Sequence, residues 1–141
     1  VILLDTNVIS ELWKPVPDPH VLAWVDAQVI DTLYLSAITL AELRFGIAAM
    51  PVGKRRETLD RRLEQEVLPL FAGRVLSFDL EASRAFAHVM VVAKEAGRAV
   101  GTADGYIAAT AAASRLMVAT RDTNPFEAAG INTVNPWMAS L

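Results

Sequence analysis

The sequence has no cysteine among its 141 residues, which excludes disulfides and thiolate zinc sites. The lack also suits a cytoplasmic protein. Histidine is nearly absent. His20 and His88 lie far apart, in stretches patterned as helix, so each reads as an ordinary helix residue. Any bound metal must then draw mostly on oxygen, which favours Mg²⁺ or Mn²⁺ over Zn²⁺. No apolar run approaches the roughly 18 residues that would cross a bilayer. Nor does a basic start lead into an apolar stretch and a small-residue cleavage site, so neither a membrane span nor a signal peptide is expected. Positive charge is not in excess either. The net charge is −3, unlike a protein built to coat nucleic acid. That leaves room for a nuclease, which needs acid for its metal and only a local basic rim for phosphate.

Apolar residues, by contrast, are plentiful at 53%, enough for a layered core in one domain spanning 1–141. They come in short blocks. Val1-Ile2-Leu3-Leu4, Leu33-Tyr34-Leu35, Val75-Leu76, Leu116 to Thr120 and Thr133-Val134 read as strands. Unbroken apolar runs of this kind mark strands covered on both faces. Between them the period is helical. A short helix follows Thr6, and Lys14 to Pro19 is read as a loop because of its three prolines. Further helices are expected at His20–Val29, Ala37–Met50, Arg55–Leu68, from the Asp79 cap to Ala96, from Thr102 or Asp104 to Ser114, and near Phe126–Ala129. Ser36 is a good N-cap, and Gly97 stands where a helix stops. Strands alternate with helices and no hairpin joins two strands. This predicts an α/β fold, a parallel sheet with helices on both faces.

Two acids follow core strands, Asp5 after Leu4 and Asp122 after the Leu116–Thr120 run. In open parallel sheets the carboxyl ends of strands carry the site, where strand order reverses. Glu42 is a third candidate. At about 100° per residue it shares a wedge with Ile38, Phe45 and Ala49, opposite Leu40, Leu43, Ile47 and Met50. That pattern suggests a carboxylate on a helix buried on two sides, which is costly without a partner; an open face or pairing with Arg44 would explain it equally. Asp104, in the first turn of its helix, reads alone as a dipole-favoured residue. Together the four change meaning. Converging carboxylates repel, and a hard divalent cation removes the conflict. Such a site activates water and stabilises charge on a phosphoryl group.

The ordered segments Asp5-Thr6-Asn7, Ser36 to Leu43, Ala103 to Ala111 and Val118 to Asp122 resemble the successive motifs of PIN-domain toxins of the VapC family. Leu68 to Arg74 and Asn135-Pro136-Trp137 are similar to the FitB-like branch. The resemblance spans nearly the whole chain. It implies a PIN-like domain with a five-stranded parallel sheet, and a Mg²⁺ or Mn²⁺ site of Asp5, Glu42, Asp104 and Asp122 supported by Asn7 and Thr120. It also implies a metal-dependent ribonuclease, the toxin of a toxin–antitoxin pair, that cuts RNA, forms a homodimer and is blocked by a small DNA-binding antitoxin. The rival class is a non-catalytic dimerising scaffold in a promoter-binding toxin–antitoxin complex. A phosphoacceptor receiver domain fits less well, because adjacent acids near the first strand and a lysine after the last are missing.

Lys54, Arg55, Arg56, Arg61 and Arg62 read as a solvated helix face balanced by Glu57, Asp60 and Glu64, with an RNA-holding rim as the alternative. Arg121, next to Asp122, is a candidate contact to RNA phosphate. Trp13, Trp24 and Trp137 read as packing rather than base stacking. The alanines at 108, 109 and 111–113 make a slender helix suited to close packing or to a dimer surface.

Overall fold

Each apolar block finds its partners in the sheet. In the computed structural model, which describes residues 1–141, the strands are β1 (Ile2–Leu4), β2 (Leu33–Ser36), β3 (Val75–Leu76), β4 (Met117–Ala119) and β5 (Thr133–Val134). They pair in the order β3-β2-β1-β4-β5, and all pairings are parallel. The chain builds outward from β1 to β3, then returns to the other side of β1 for β4 and β5. Strand order therefore reverses between β1 and β4, and their carboxyl ends are where a crevice forms in such sheets. Asp5 N–H donates to Ala119 O at 2.9 Å, carrying the ladder one residue past β1.

The helices are α1 (Thr6–Leu12), α2 (Pro19–Asp26), α3 (Ala37–Ala48), α4 (Lys54–Arg62), α5 (Leu68–Leu70), α6 (Leu80–Glu95), α7 (Thr102–Ala113) and α8 (Asn124–Ala128). Successive strand residues point to opposite faces, and here each face has its own core. Leu4 and Ala119 pack with Val8, Leu40, Leu43 and Ile47 on one side. Leu3 and Val118 pack with Val89, Ile107, Ala108 and Phe126 on the other. Leu3, Val118, Ile107 and Phe126 are fully buried, as unbroken apolar strands in a covered parallel sheet should be.

The alanine-rich α7 is largely used up inside the fold. Ala108, Ala109 and Ala111 are fully buried in the single chain, which leaves only Ala112 and Ala113 of that stripe with any exposure. A Cβ on Gly105 would sit 2.7 Å from Met90 Sδ and 3.1 Å from Phe86. Glycine thus lets α7 press directly onto α6. Some boundaries also differ from the sequence reading. Pro19 begins α2 instead of ending a loop, because Asp18 caps it through His20 N–H at 2.8 Å and proline is favoured in a first turn. The helix then stops at Asp26, short of Val29. Beyond α4 the chain continues through a π-turn at Leu63–Val67 into α5. Pro69 falls in a first turn there and does not stop the helix at Leu68.

Candidate active site

A polar cleft of about 370 Å³ opens at the switch point, lined by Asp5, Thr6, Asn7, Ser10, Glu11, Lys14, Glu42, Asp104, Arg121 and Trp137. Asp5 caps α1, accepting from Thr6 N–H at 2.8 Å on Oδ1. Its other oxygen, Oδ2, accepts from the Thr120 hydroxyl at 2.8 Å. Glu42 projects from α3 and Asp104 from the first turn of α7. Asp122 lies just outside, in an adjoining hollow with Asp104, Arg98, Gly101 and Asn124. Asp104 belongs to both hollows and links the two.

The electrostatics are those of an uncompensated acid cluster. Asp5 is 6% exposed. Burial pushes its carboxyl up to about 6; the Thr120 and Thr6 bonds oppose this, and the charges of Asp104 and Glu42 add to it. Burial also raises Asp104, helped by the charges of Glu42 and Asp122. None of the four acids belongs to any of the chain's ion pairs. Asp5, Glu42 and Asp104 ring the cleft rather than close on a point, for no three acidic or histidine side chains are gathered tightly enough to enclose one ion. The donor set still suits Mg²⁺, which keeps several waters and typically takes only one or two carboxylates directly. All donors are oxygen, and no lysine or arginine is paired with these acids.

Asn7 and Thr120 join Asp5 in one hydrogen-bonded group. Asn7 Nδ2 donates to Thr120 Oγ1 at 3.3 Å, and Asn7 Oδ1 accepts from Arg121 N–H at 3.4 Å. Asp122 N–H donates to Thr120 Oγ1 at 3.2 Å. One hydroxyl thus ties Asp5 to the loop after β4. For Glu42 the structure decides among the readings the sequence left open. Phe45 is 75% exposed, and Glu42 and Ala49 are exposed as well. The wedge is an open face, not a second buried side. Nor does Arg44 serve Glu42, since it makes a two-pronged pair with Glu64 at 2.9 and 3.1 Å.

Thr6, Thr39 and Glu11 make contacts here that the sequence pattern did not assign. The Thr6 hydroxyl reaches Glu42 Oε1 at 2.7 Å and Thr39 Oγ1 at 3.3 Å, and Thr39 meets Ser36 Oγ at 3.2 Å. Thr39 precedes Glu42 by three residues on α3, a spacing that shares a helix face and gave a usable signal. Glu11 is 5% exposed. It is held by Lys14 Nζ at 2.9 Å and by Asp18 N–H at 3.0 Å. The Lys14 bond, chiefly, draws the Glu11 carboxyl below its usual range. Trp137 packs on the core, so the packing reading was right but incomplete: the ring lines the acidic cleft too. Of the basic segment, only Arg62 makes an ion pair, with Glu66 at 3.6 Å. Arg55 borders a hollow that shares Thr6, Ser10 and Glu42 with the cleft.

A five-stranded parallel sheet in this order, with acids at the ends of β1 and β4, defines a class, and comparison with known proteins agrees. The PIN domain model matches residues 2–131, and the chain belongs to the PIN-domain family, in its VapC and FitB-like branch. It is 69% identical to VapC ribonuclease Y4jK of Sinorhizobium fredii, over 97% of this chain and 98% of that protein. It is 52% identical to Toxin FitB of Neisseria gonorrhoeae, over 97% and 99%. Among solved structures, it superposes on the crystal structure of FitAcB from Neisseria gonorrhoeae with TM-score 0.94 and 51% identity, covering 98% of this chain and 99% of that one. It superposes on FitAB bound to an IR36 DNA fragment with TM-score 0.95 and 48% identity, covering 100% and 99%.

Proposed function

We propose that this chain is the toxin of a toxin–antitoxin pair and an endoribonuclease that hydrolyses RNA phosphodiesters with Mg²⁺. The carrying observation is that Asp5, Glu42 and Asp104 line one cleft at the switch point with no protein cation paired to them. Relatives that carry the ribonuclease name along most of this chain's length support the reading.

Asp5 and Asp104 are the principal metal ligands in this proposal, and Glu42 and Asp122 complete the shell or hold the attacking water. Mn²⁺ substitutes. A bound ion of this kind lowers the pKa of its water and stabilises charge on the phosphoryl group. The chain's own part is to keep those oxygens in place. Thr120 orients Asp5 and Asn7 steadies Thr120, while Thr6 orients Glu42. Burial of Asp5 keeps the site's negative field strong, because less water screens it. Arg121, exposed at the cleft and unpaired, supplies positive charge for RNA phosphate.

Residues 1–141 act as a single PIN domain that forms a homodimer and joins a small DNA-binding antitoxin. The solved relatives FitAcB and FitAB bound to an IR36 DNA fragment support the partner chain and its DNA, and the family resemblance is the ground for the homodimer. No helix of the chain is long and apolar enough to cross a membrane, and a cytoplasmic setting is consistent with the partners proposed. The test is incubation of the purified chain with total RNA and Mg²⁺, with sequencing of the ends produced. Cleavage that a chelator abolishes supports the reading. Intact RNA together with promoter binding by the toxin–antitoxin complex would leave only the scaffold role.

A further inference from the structure

The acidic cleft contains one apolar side chain, and its setting suggests a task besides packing. Of the ten residues lining the cleft, only Trp137 is hydrophobic. Its position is set by contacts that do not need the metal site. The Trp137 backbone N–H donates to Asn135 Oδ1 at 2.9 Å, and its side chain packs against the core. The Arg121 guanidinium lies over the Trp137 ring, 5.4 Å from its centroid. Arg121 belongs to no ion pair, although Asp122 is its neighbour in sequence. Its backbone is held by Asn7 through the N–H at 3.4 Å and by Asn135 Nδ2, which donates to the carbonyl at 3.4 Å.

We propose that Arg121 and Trp137 form a stacking subsite for the base of an unpaired ribonucleotide next to the phosphate at the acid cluster. This rests on the ribonuclease reading and adds a recognition element to it. Single-stranded RNA offers exposed base faces, and proteins take them on aromatic rings and on guanidinium planes. The Arg121 guanidinium over the indole sets a cationic group beside an aromatic face, and the bonds to its backbone hold the pair together before the base arrives. Bases buried in a duplex cannot reach it, so the subsite selects loops and unpaired strands. Every base has a π face, so it favours unpaired RNA without dictating sequence. The place also fits. Arg121 is joined to Asn7 and Asn7 to Thr120, and Thr120 bonds to Asp5, so the platform and the acids share one frame. Arg121, in no ion pair, offers charge to the neighbouring phosphate from the same cleft.

The test uses the full chain in EDTA with a short 2′-O-methyl oligoribonucleotide, which cannot be cleaved. Binding is followed by tryptophan fluorescence and, with a labelled oligomer, by anisotropy. The proposal predicts quenching in the wild type that vanishes in Trp137→Phe, because Trp13 and Trp24 report no base. It predicts about tenfold weaker binding in Trp137→Leu and in Arg121→Gln, in line with the worth of one stacked base. It also predicts that a blunt duplex of the same sequence competes poorly. Arg121→Gln is at an exposed position, so circular dichroism should show an unchanged fold. Unchanged affinity in both variants, or equal competition by the duplex, overturns the subsite. RNA cleavage in Mg²⁺, measured separately, reports on the ribonuclease reading: cleaving protein with variant-independent binding sinks the subsite alone, and Trp137-dependent binding without cleavage sinks the nuclease alone.

Discussion

The Thr6 hydroxyl lies 2.7 Å from Glu42 Oε1, across 36 residues of sequence. The same residue's backbone N–H donates to Asp5 Oδ1 at 2.8 Å, so one threonine sets the position of two acids on two elements. Proton counting orders the contacts behind it. A hydroxyl has one hydrogen, and an ionised carboxylate only accepts, so Thr6 donates to Glu42. Thr39 is then free to donate to Thr6, and Ser36 to Thr39.

Thr6→Val removes the proton that orients Glu42 and keeps the backbone bond to Asp5. RNA cleavage should fall about ten- to a hundredfold, mainly in kcat, with little change in melting temperature. Thr6→Ser should restore most of the rate. Full activity in the valine variant would show that Glu42 needs no such support.

Glu42→Gln should abolish most cleavage at almost no cost in stability. Truncating one partner of a buried ion pair costs about 3–5 kcal/mol, but Glu42 is exposed and belongs to no pair. Urea unfolding of the two proteins decides the point. A large loss of stability would mean that Glu42 is structural after all.

Asp5 gives the metal-free protein a pH signature. Its folded value of about 6 stands above the ordinary 3.8. Between those values the folded chain binds more protons than the unfolded chain. Its contribution to stability is therefore present below about pH 4 and lost as pH rises through about 6. About two units correspond to about 3 kcal/mol. In EDTA, Asp5→Asn should melt several degrees above wild type at pH 8 and level with it near pH 4. An equal offset at both pH values would remove ionisation as the cause.

Magnesium should reverse that penalty. Ligand binding to the folded state adds about 2.7 kcal/mol at a hundred times Kd. The rise in melting temperature with Mg²⁺ or Mn²⁺ should be clear at pH 8 and small at pH 5, where protons compete for the carboxylates. Asp104→Asn should abolish most of the rise while stabilising the metal-free chain, since burial and the charges of Glu42 and Asp122 raise the Asp104 carboxyl. A melting temperature indifferent to both metals at pH 8 would argue that the cleft holds none.

The sheet was legible because Leu3, Leu4, Val118 and Ala119 sit in unbroken apolar runs, and only a sheet covered on both faces buries such runs. Asp5 and Asp122 were legible as the residues just past those strands. Glu42 was found for a partly mistaken reason. The helical wheel gives the phase of Phe45 and Ala49 but not whether anything covers that phase, and here nothing in the chain does. Thr6 and Trp137 were missed for a related reason. Their roles depend on contacts distant in sequence, with Glu42 for Thr6 and with Arg121 for Trp137, and local pattern carries no distance information. The alanines of α7 fit a close-packed helix equally well in a core or at an interface, and only the arrangement against α6 decides between them.

The central claim is that the acidic cleft is the engine of RNA cleavage. The most direct measurement follows a defined single-stranded RNA with the purified chain in Mg²⁺, the same in EDTA, and the Asp5→Asn variant in Mg²⁺. The account predicts discrete cleavage in the first reaction and none above background in the other two, with Asp5→Asn folded by circular dichroism. Cleavage that persists in EDTA, or that survives in Asp5→Asn at the wild-type rate, would contradict it.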